Sequence, residues 1–335
     1  MDRRKKNMLV ISITLVVAII IMFASFAVAK YVLKSTQNVD VVLKNAKIAE
    51  TEIKLSTEDW TNGKISVSIS TNKKGEIYYK VNEKGEWIKY NKSFEVEENC
   101  DIYAKLKYSD GDGPETVKKV QNIDKTAPKV ILTKSNYKTF AWKATESTSG
   151  VAGYAITTTN TQPTSFITGA TAIGTKEVTA AGTYYVWVKD NAGNVGSASI
   201  AAYTVTRSQG TGSTLKTRVD STSSSSGTEV NSNTVVLKGT TLWASATANT
   251  GYNTPVLKNG STALTATGAT VTVNGNVTIS SSATINTYTV TYNYKTNGGT
   301  TATKETATVA YGSAIDLTPT ATKAGWTFVG WNTSS

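Results

Sequence analysis

The chain has 335 residues, 18% of them charged, with 35 Lys and Arg against 24 Asp and Glu and a formal charge of +11. It contains no histidine and a single cysteine, Cys100. That excludes a Ser-His-Asp or Cys-His nucleophile, a His-ligated metal and an internal disulfide.

The first predicted element is Met8–Ala29, an uncharged apolar run preceded by Arg3, Arg4, Lys5 and Lys6. As a helix it is long enough for a bilayer core of about 30 Å. The flanking positive charge keeps the N-terminus inside and sends the rest of the chain out. Two processings fit: an uncleaved signal anchor, favoured by the length of the run, or a secretory signal cleaved after Ala27-Val28-Ala29. Retention would make Met8–Ala29 a membrane contact. Residues 30–49 read as a juxtamembrane stalk.

From residue 50 onward the composition predicts an all-β chain, since Thr, Val, Tyr and Ile favour strands and Asn and Gly favour turns. Without disulfides, such a chain must rely on packed cores. Ile65, Val67 and Ile69 alternate with serines and share one face. Strand patterns continue at Glu76–Val81 and Cys100–Leu106, and the turn at Asp110–Pro114 closes a hairpin. This first unit covers residues 50–123. A second, 124–207, repeats it: Tyr79 corresponds to Tyr154, and Val96–Lys105 to Val178–Trp187. The spacing suits a sandwich of about seven short strands. In the second copy Tyr184, Val186 and Val188 should face one way, and Tyr185, Trp187 and Lys189 the other.

Arg207–Gly212 is a linker candidate on its Ser, Gly and Thr content. Residues 208–286 form a third unit, in which Asn274-Gly275-Asn276 between two alternating runs predicts a hairpin. The fourth, 287–335, opens with the alternating run Tyr288–Tyr294 and ends among Trp326, Phe328 and Trp331. Those aromatics read as its core, with a final covering strand lacking.

The junction Ile123-Asp124-Lys125-Thr126-Ala127-Pro128, the run Ser149–Tyr154 and the stretch Gly182–Asn194 resemble bacterial immunoglobulin-like repeats, found in tandem on surface proteins. The first copy departs from that pattern, with Cys100 in the place of Gly182 and Ser109–Gly113 replacing Asp190–Asn194. Asn297-Gly298-Gly299, Tyr311-Gly312-Ser313, Pro319 and Gly325–Trp331 resemble the Listeria–Bacteroides repeat, the internalin-type B-repeat. The third unit resembles a divergent member of that group. Together these resemblances imply tandem immunoglobulin-like sandwiches followed by small β-grasp-like modules. They imply a cell-envelope protein and no chemistry.

No catalytic, cofactor-binding or metal residue is assigned, and no ligand-binding residue is identified. Cys100 reads as a small strand residue, because a nucleophile would need a base and a depressed pKa. Asp110 and Asp112 lie on a turn, not in the facing arrangement that glycoside hydrolysis needs. Calcium at Asp110, Asp112 and Asp190 is an open possibility on donor chemistry alone, since no EF-hand spacing is present. Trp60, Trp87, Tyr90, Trp142 and Trp187 read as core or sheet-surface aromatics before a sugar platform. The basic excess forms no stripe with interleaved aromatics, so nucleic acid is not an expected partner. The expected role is a non-enzymatic adhesin or stalk whose partner is a cell-wall polymer, a glycan or a host or matrix protein. An accessory portion of a longer extracellular enzyme and a fibre subunit are the alternatives.

Overall fold

The computed structural model describes residues 50–332 other than Asp110, Ala170, Thr171 and Ser224. Met8–Ala29, the stalk and Asp110 therefore lie outside the described residues. Among the described residues no helix is long and apolar enough to cross a membrane. Apart from one 3-10 turn at Lys295–Asn297, the regular structure there is β. The chain folds as two compact units. Of the described residues, one unit comprises those up to Ala127 with Glu146–Gly150 and Asp190–Asn194; the other comprises Pro128–Thr145, Val151–Lys189 and those from Val195 onward.

The first unit contains β1 (Glu52–Leu55), β2 (Ile65–Ser70), β3 (Glu76–Val81), β4 (Ile88–Lys89), β5 (Phe94–Val96), β6 (Cys100–Tyr108), β7 (Gly111–Asp112) and β8 (Thr116–Val120). They form two sheets, β1-β2-β5 and β4-β3-β6-β7, with β8 also paired to β6. The alternation read from sequence sets which face turns in. Ile65, Val67 and Ile69 of β2 are buried, and they meet Ile102 and Ala104 of β6 in one core cluster. Both sheets give their inward faces to that cluster, so two layers pack over a common core. Tyr79 covers its edge, stacked on Phe94 with ring centroids 4.2 Å apart.

The second unit begins with β9 (Lys129–Lys134), β10 (Thr139–Thr145), β11 (Val151–Thr157), β12 (Ile167–Thr168), β13 (Ile173–Glu177), β14 (Gly182–Asp190) and β15 (Val195–Gln209). Its strand orders repeat those of the first: β9-β10-β13 parallels β1-β2-β5, and β12-β11-β14-β15 parallels β4-β3-β6 with β8. The core of Phe140, Trp142, Val178, Tyr184, Val186 and Val188 fills the space between these layers. Tyr184, Val186 and Val188 do share the inward face. On the other face, Trp187 lies under Tyr185, with ring centroids 6.3 Å apart.

β15 does not stop where the repeat would end. Its first half pairs with β14, and Val205–Gln209 then run parallel to β23, at Val277–Ser281. The linker expected at Arg207–Gly212 is thus strand through Gln209, and Arg207 Nη1 donates to the Val230 carbonyl at 3.1 Å. Gly212 closes the following turn at φ +73°, with the Tyr252 ring standing where a Cβ would project. Polar composition made this segment look like a tether, but its backbone is committed to a sheet.

The remaining strands are β16 (Ser213–Val219), β17 (Thr228–Glu229), β18 (Thr234–Leu237), β19 (Thr240–Ala248), β20 (Val256–Asn259), β21 (Thr262–Leu264), β22 (Ala269–Val273), β23 (Val277–Ser282), β24 (Thr287–Thr291), β25 (Thr301–Ala302), β26 (Thr306–Ala310) and β27 (Ala321–Thr322). β17-β16-β19-β22 is one sheet, and β23-β20-β21 extends the sheet of β15. Leu215, Leu242, Leu257 and Ile279 lie in the core between them. The expected hairpin at Asn274-Gly275-Asn276 is a crossover instead. β22 pairs with β19, while β23 pairs with β20 and β15. Val273 and Val277 both point into the same core from different layers, so the turn links two sheets.

β24 pairs with β26, and β25 with β27. The alternating run expected through Tyr294 ends at Thr291, and the chain turns through Lys295–Asn297 with Gly298 left-handed at φ +73°. Trp331 packs on Tyr292 and Phe328 at centroid distances of 5.1 and 5.2 Å, and its Nε1 donates to the Pro319 carbonyl at 2.7 Å. Trp326 corrects the reading of these aromatics as a core. It is 72% exposed, with the Lys323 ammonium 4.4 Å from its ring centroid.

Candidate metal centre

The residues weighed at the sequence level do not converge. Cys100 opens β6 and is half-buried. Burial, and then the charge of Asp101, push its thiol up, which disfavours the nucleophilic thiolate. Asp112 lies exposed on β7, where Lys105 Nζ donates to its Oδ2 at 2.6 Å. That hydrogen bond lowers its carboxyl below the ordinary value. The five aromatics serve as cover. Lys80 and Lys105 flank the Trp87 ring at 5.1 and 4.1 Å, and Tyr90 Oη accepts the Ile69 amide at 3.1 Å. Trp142 is in the core, Trp187 donates to Thr157 Oγ1 at 2.9 Å, and Trp60 is half-buried.

Asp190 is different. It ends β14 and is fully buried. The Asp190–Asn194 turn holds its carboxylate rigidly. Asn194 donates its amide to Oδ1 at 2.7 Å and its Nδ2 to Oδ2 at 2.9 Å. Gly193, at φ +101°, supplies the left-handed residue the turn requires. The same Asn194 Nδ2 lies 2.8 Å from the Asp124 carbonyl, and Asn191 Nδ2 donates to the Ser149 carbonyl at 2.7 Å. Two asparagines of one turn thus draw in two other loops of the first unit.

Those loops bring two more carboxylates. Asp124, 3% exposed, accepts the Thr126 amide on Oδ1 at 2.9 Å and the Ser149 amide on Oδ2 at 3.2 Å. Glu146, half-buried, accepts the Thr148 amide on Oε1 at 2.6 Å. Asp124, Glu146 and Asp190 each offer one carboxylate oxygen within 4.8 Å of the others. Burial pushes the Asp124 carboxyl up, but the hydrogen bonds that Thr126 and Ser149 bring to it hold it below the ordinary value.

Among the described residues, no lysine or arginine forms an ion pair with any of the three. Like charges this close repel, and burial in low dielectric amplifies the cost. A carboxylate has about four lone-pair sites, and the hydrogen bonds above use only one or two on each group. The remaining sites suit a hard cation.

Sequence reasoning quoted Asp124 and Asp190 within motifs but singled out only Asp190 as a ligand, and it missed Glu146. A signal was available. Glu146 and Asp190 sit at strand ends and are followed directly by Ser147 and Asn191, and Asp124 stands two residues before Thr126, residue types whose turns fold a carboxylate back on the chain.

No curated protein matches the chain. Residues 288–335 match the Listeria-Bacteroides repeat domain, the repeat of a modular, surface-associated kind of protein.

Proposed function

We propose that the chain is a non-enzymatic adhesin or stalk of the cell envelope, built from tandem immunoglobulin-like sandwiches followed by B-repeat modules. The domain division at 50–123, 124–207, 208–286 and 287–335 belongs to this proposal. The observation that carries it is the repeat match at residues 288–335, at the end of an all-β chain. The shared strand order of β1–β8 and β9–β15 supports the tandem reading. So does Tyr184, whose hydroxyl accepts the Thr179 and Ala180 amides and donates to the Ala180 carbonyl at 3.0 Å. Such a tyrosine, bonded back to backbone a few residues upstream, recurs in immunoglobulin-type sandwiches. Export rests on Met8–Ala29 and its basic flank.

Protease treatment of intact cells that express the whole chain tests the proposal. Release of peptides from residues 50–332 without lysis is the expected result, and digestion only after lysis would overturn it. Mass spectrometry of the mature N-terminus separates anchor from cleavage, because a start at Lys30 excludes the anchor. An array of cell-wall polymers, glycans and matrix proteins then divides adhesin from stalk: specific capture makes the chain an adhesin, and no capture makes it a stalk.

A further inference from the structure

We propose that Asp124, Glu146 and Asp190, with the Ser149 hydroxyl, form a calcium site that ties three loops of the first unit together. The carboxylates alone would not carry this. The second observation is Ser149, a polar side chain 6% exposed whose Oγ finds no hydrogen-bond partner. The Ser149 amide donates to Asp124 Oδ2 at 3.2 Å, which sets this residue beside the carboxylates. A buried hydroxyl left without a partner costs about 1–3 kcal/mol, and a cation among the adjacent carboxylates would use its lone pairs.

Geometry and donor type select the ion. Calcium takes six to eight oxygens at about 2.3–2.6 Å, so two ligands of one ion lie at most about 5 Å apart. The three carboxylate oxygens, within 4.8 Å of one another, are close enough together to share one such ion. Magnesium prefers one or two carboxylates, keeps several waters and needs a tighter octahedron. Three carboxylates and a hydroxyl favour calcium. The second-layer contacts are already in place, because the amides of Thr126, Thr148, Ser149 and Asn194 fix the carboxylates before any ion arrives. The site draws on no lysine and is separate from Asp112, whose carboxylate is engaged by Lys105.

Calorimetric titration of the full chain, stripped with chelator, with calcium chloride and separately with magnesium chloride tests this. One calcium per chain is expected, with a raised Tm and at least about tenfold weaker magnesium binding. Glu146→Gln is the most informative variant, because Glu146 is only half-buried and accepts a single amide. Its Tm in chelator should match the parent's, while calcium affinity falls roughly tenfold or more. Ser149→Ala should weaken calcium several-fold and leave the stability of the metal-free chain equal or higher. Asp112→Asn should bind as the parent does. No calcium heat at millimolar concentration, magnesium binding as tight as calcium, or a Glu146→Gln affinity equal to the parent's would each overturn the proposal.

Discussion

β6 and β14 are the same strand twice. Each has nine residues, and each buries alternate side chains: Ile102, Ala104 and Leu106 in the first, Tyr184, Val186 and Val188 in the second. Their ends diverge. β6 ends at Tyr108, whose hydroxyl donates to the Glu50 carboxylate, and β14 ends at buried Asp190 among two further carboxylates. The strands that close each copy diverge too. β8 is five residues long, whereas β15 runs for fifteen and enters a second core. The inward face of a strand is constrained by the layer opposite it, at every second residue. The residues beyond its last apolar core position have no such partner and are free to acquire hydrogen bonds, charge or an extension.

Three measurements press on that contrast. The largest effect belongs to the shared faces. Leu106→Ala should cost about 2–5 kcal/mol in denaturant unfolding, and Val188→Ala, at the matching position, should cost less because fewer methylene equivalents are lost. A negligible loss at either would mean that the alternation does not build both cores. Gly212→Ala probes the extension of β15. It forces a left-handed residue and drives a Cβ into the Tyr252 ring, so a loss of about 1–3 kcal/mol is expected. A neutral result would restore Arg207–Gly212 as a flexible tether. Tyr108→Phe removes only the hydroxyl that reaches Glu50 and should cost about 1 kcal/mol. A loss as large as that of Leu106→Ala would show that the first copy depends on its strand end as much as on its core.

The faces were legible because their cause is local. A two-residue period in Ile65–Ile69 or Tyr184–Val188 needs only an opposite layer to become burial. The same period in Tyr288–Thr291 leaves every side chain but half-buried Val290 exposed, because alternation does not say whether a second layer exists. Asn274-Gly275-Asn276 carried a valid turn signal, but a turn does not specify whether the strands it joins pair with each other or enter separate sheets. The carboxylate cluster was illegible for a stronger reason. Asp124, Glu146 and Asp190 are far apart in sequence, and hydrogen bonds that exist only in the folded chain, those of Asn191, Asn194 and Ser149, collect them. Arg207–Gln209 misled because a polar strand and a polar linker have the same composition.

The smallest expected effect separates the two acidic turns by their counter-charges. Asp112 is the first copy's turn carboxylate, and the Lys105 hydrogen bond holds it below its ordinary value of 3.8. A carboxyl depressed in the folded state favours folding above its unfolded pKa, and that contribution is lost as pH falls through the folded value. The parent chain should therefore unfold at a slightly higher Tm than Asp112→Asn at pH 6, and the difference should close at pH values below 3.8. The Asp112 side of the pair is solvent-exposed and open to screening, so the pH 6 difference should also shrink in 1 M sodium chloride. A difference that persists in acid and in salt would mean that Asp112 acts through the geometry of its turn, as Asp190 does, and would remove the contrast between a neutralised carboxylate in one copy and an uncompensated one in the other.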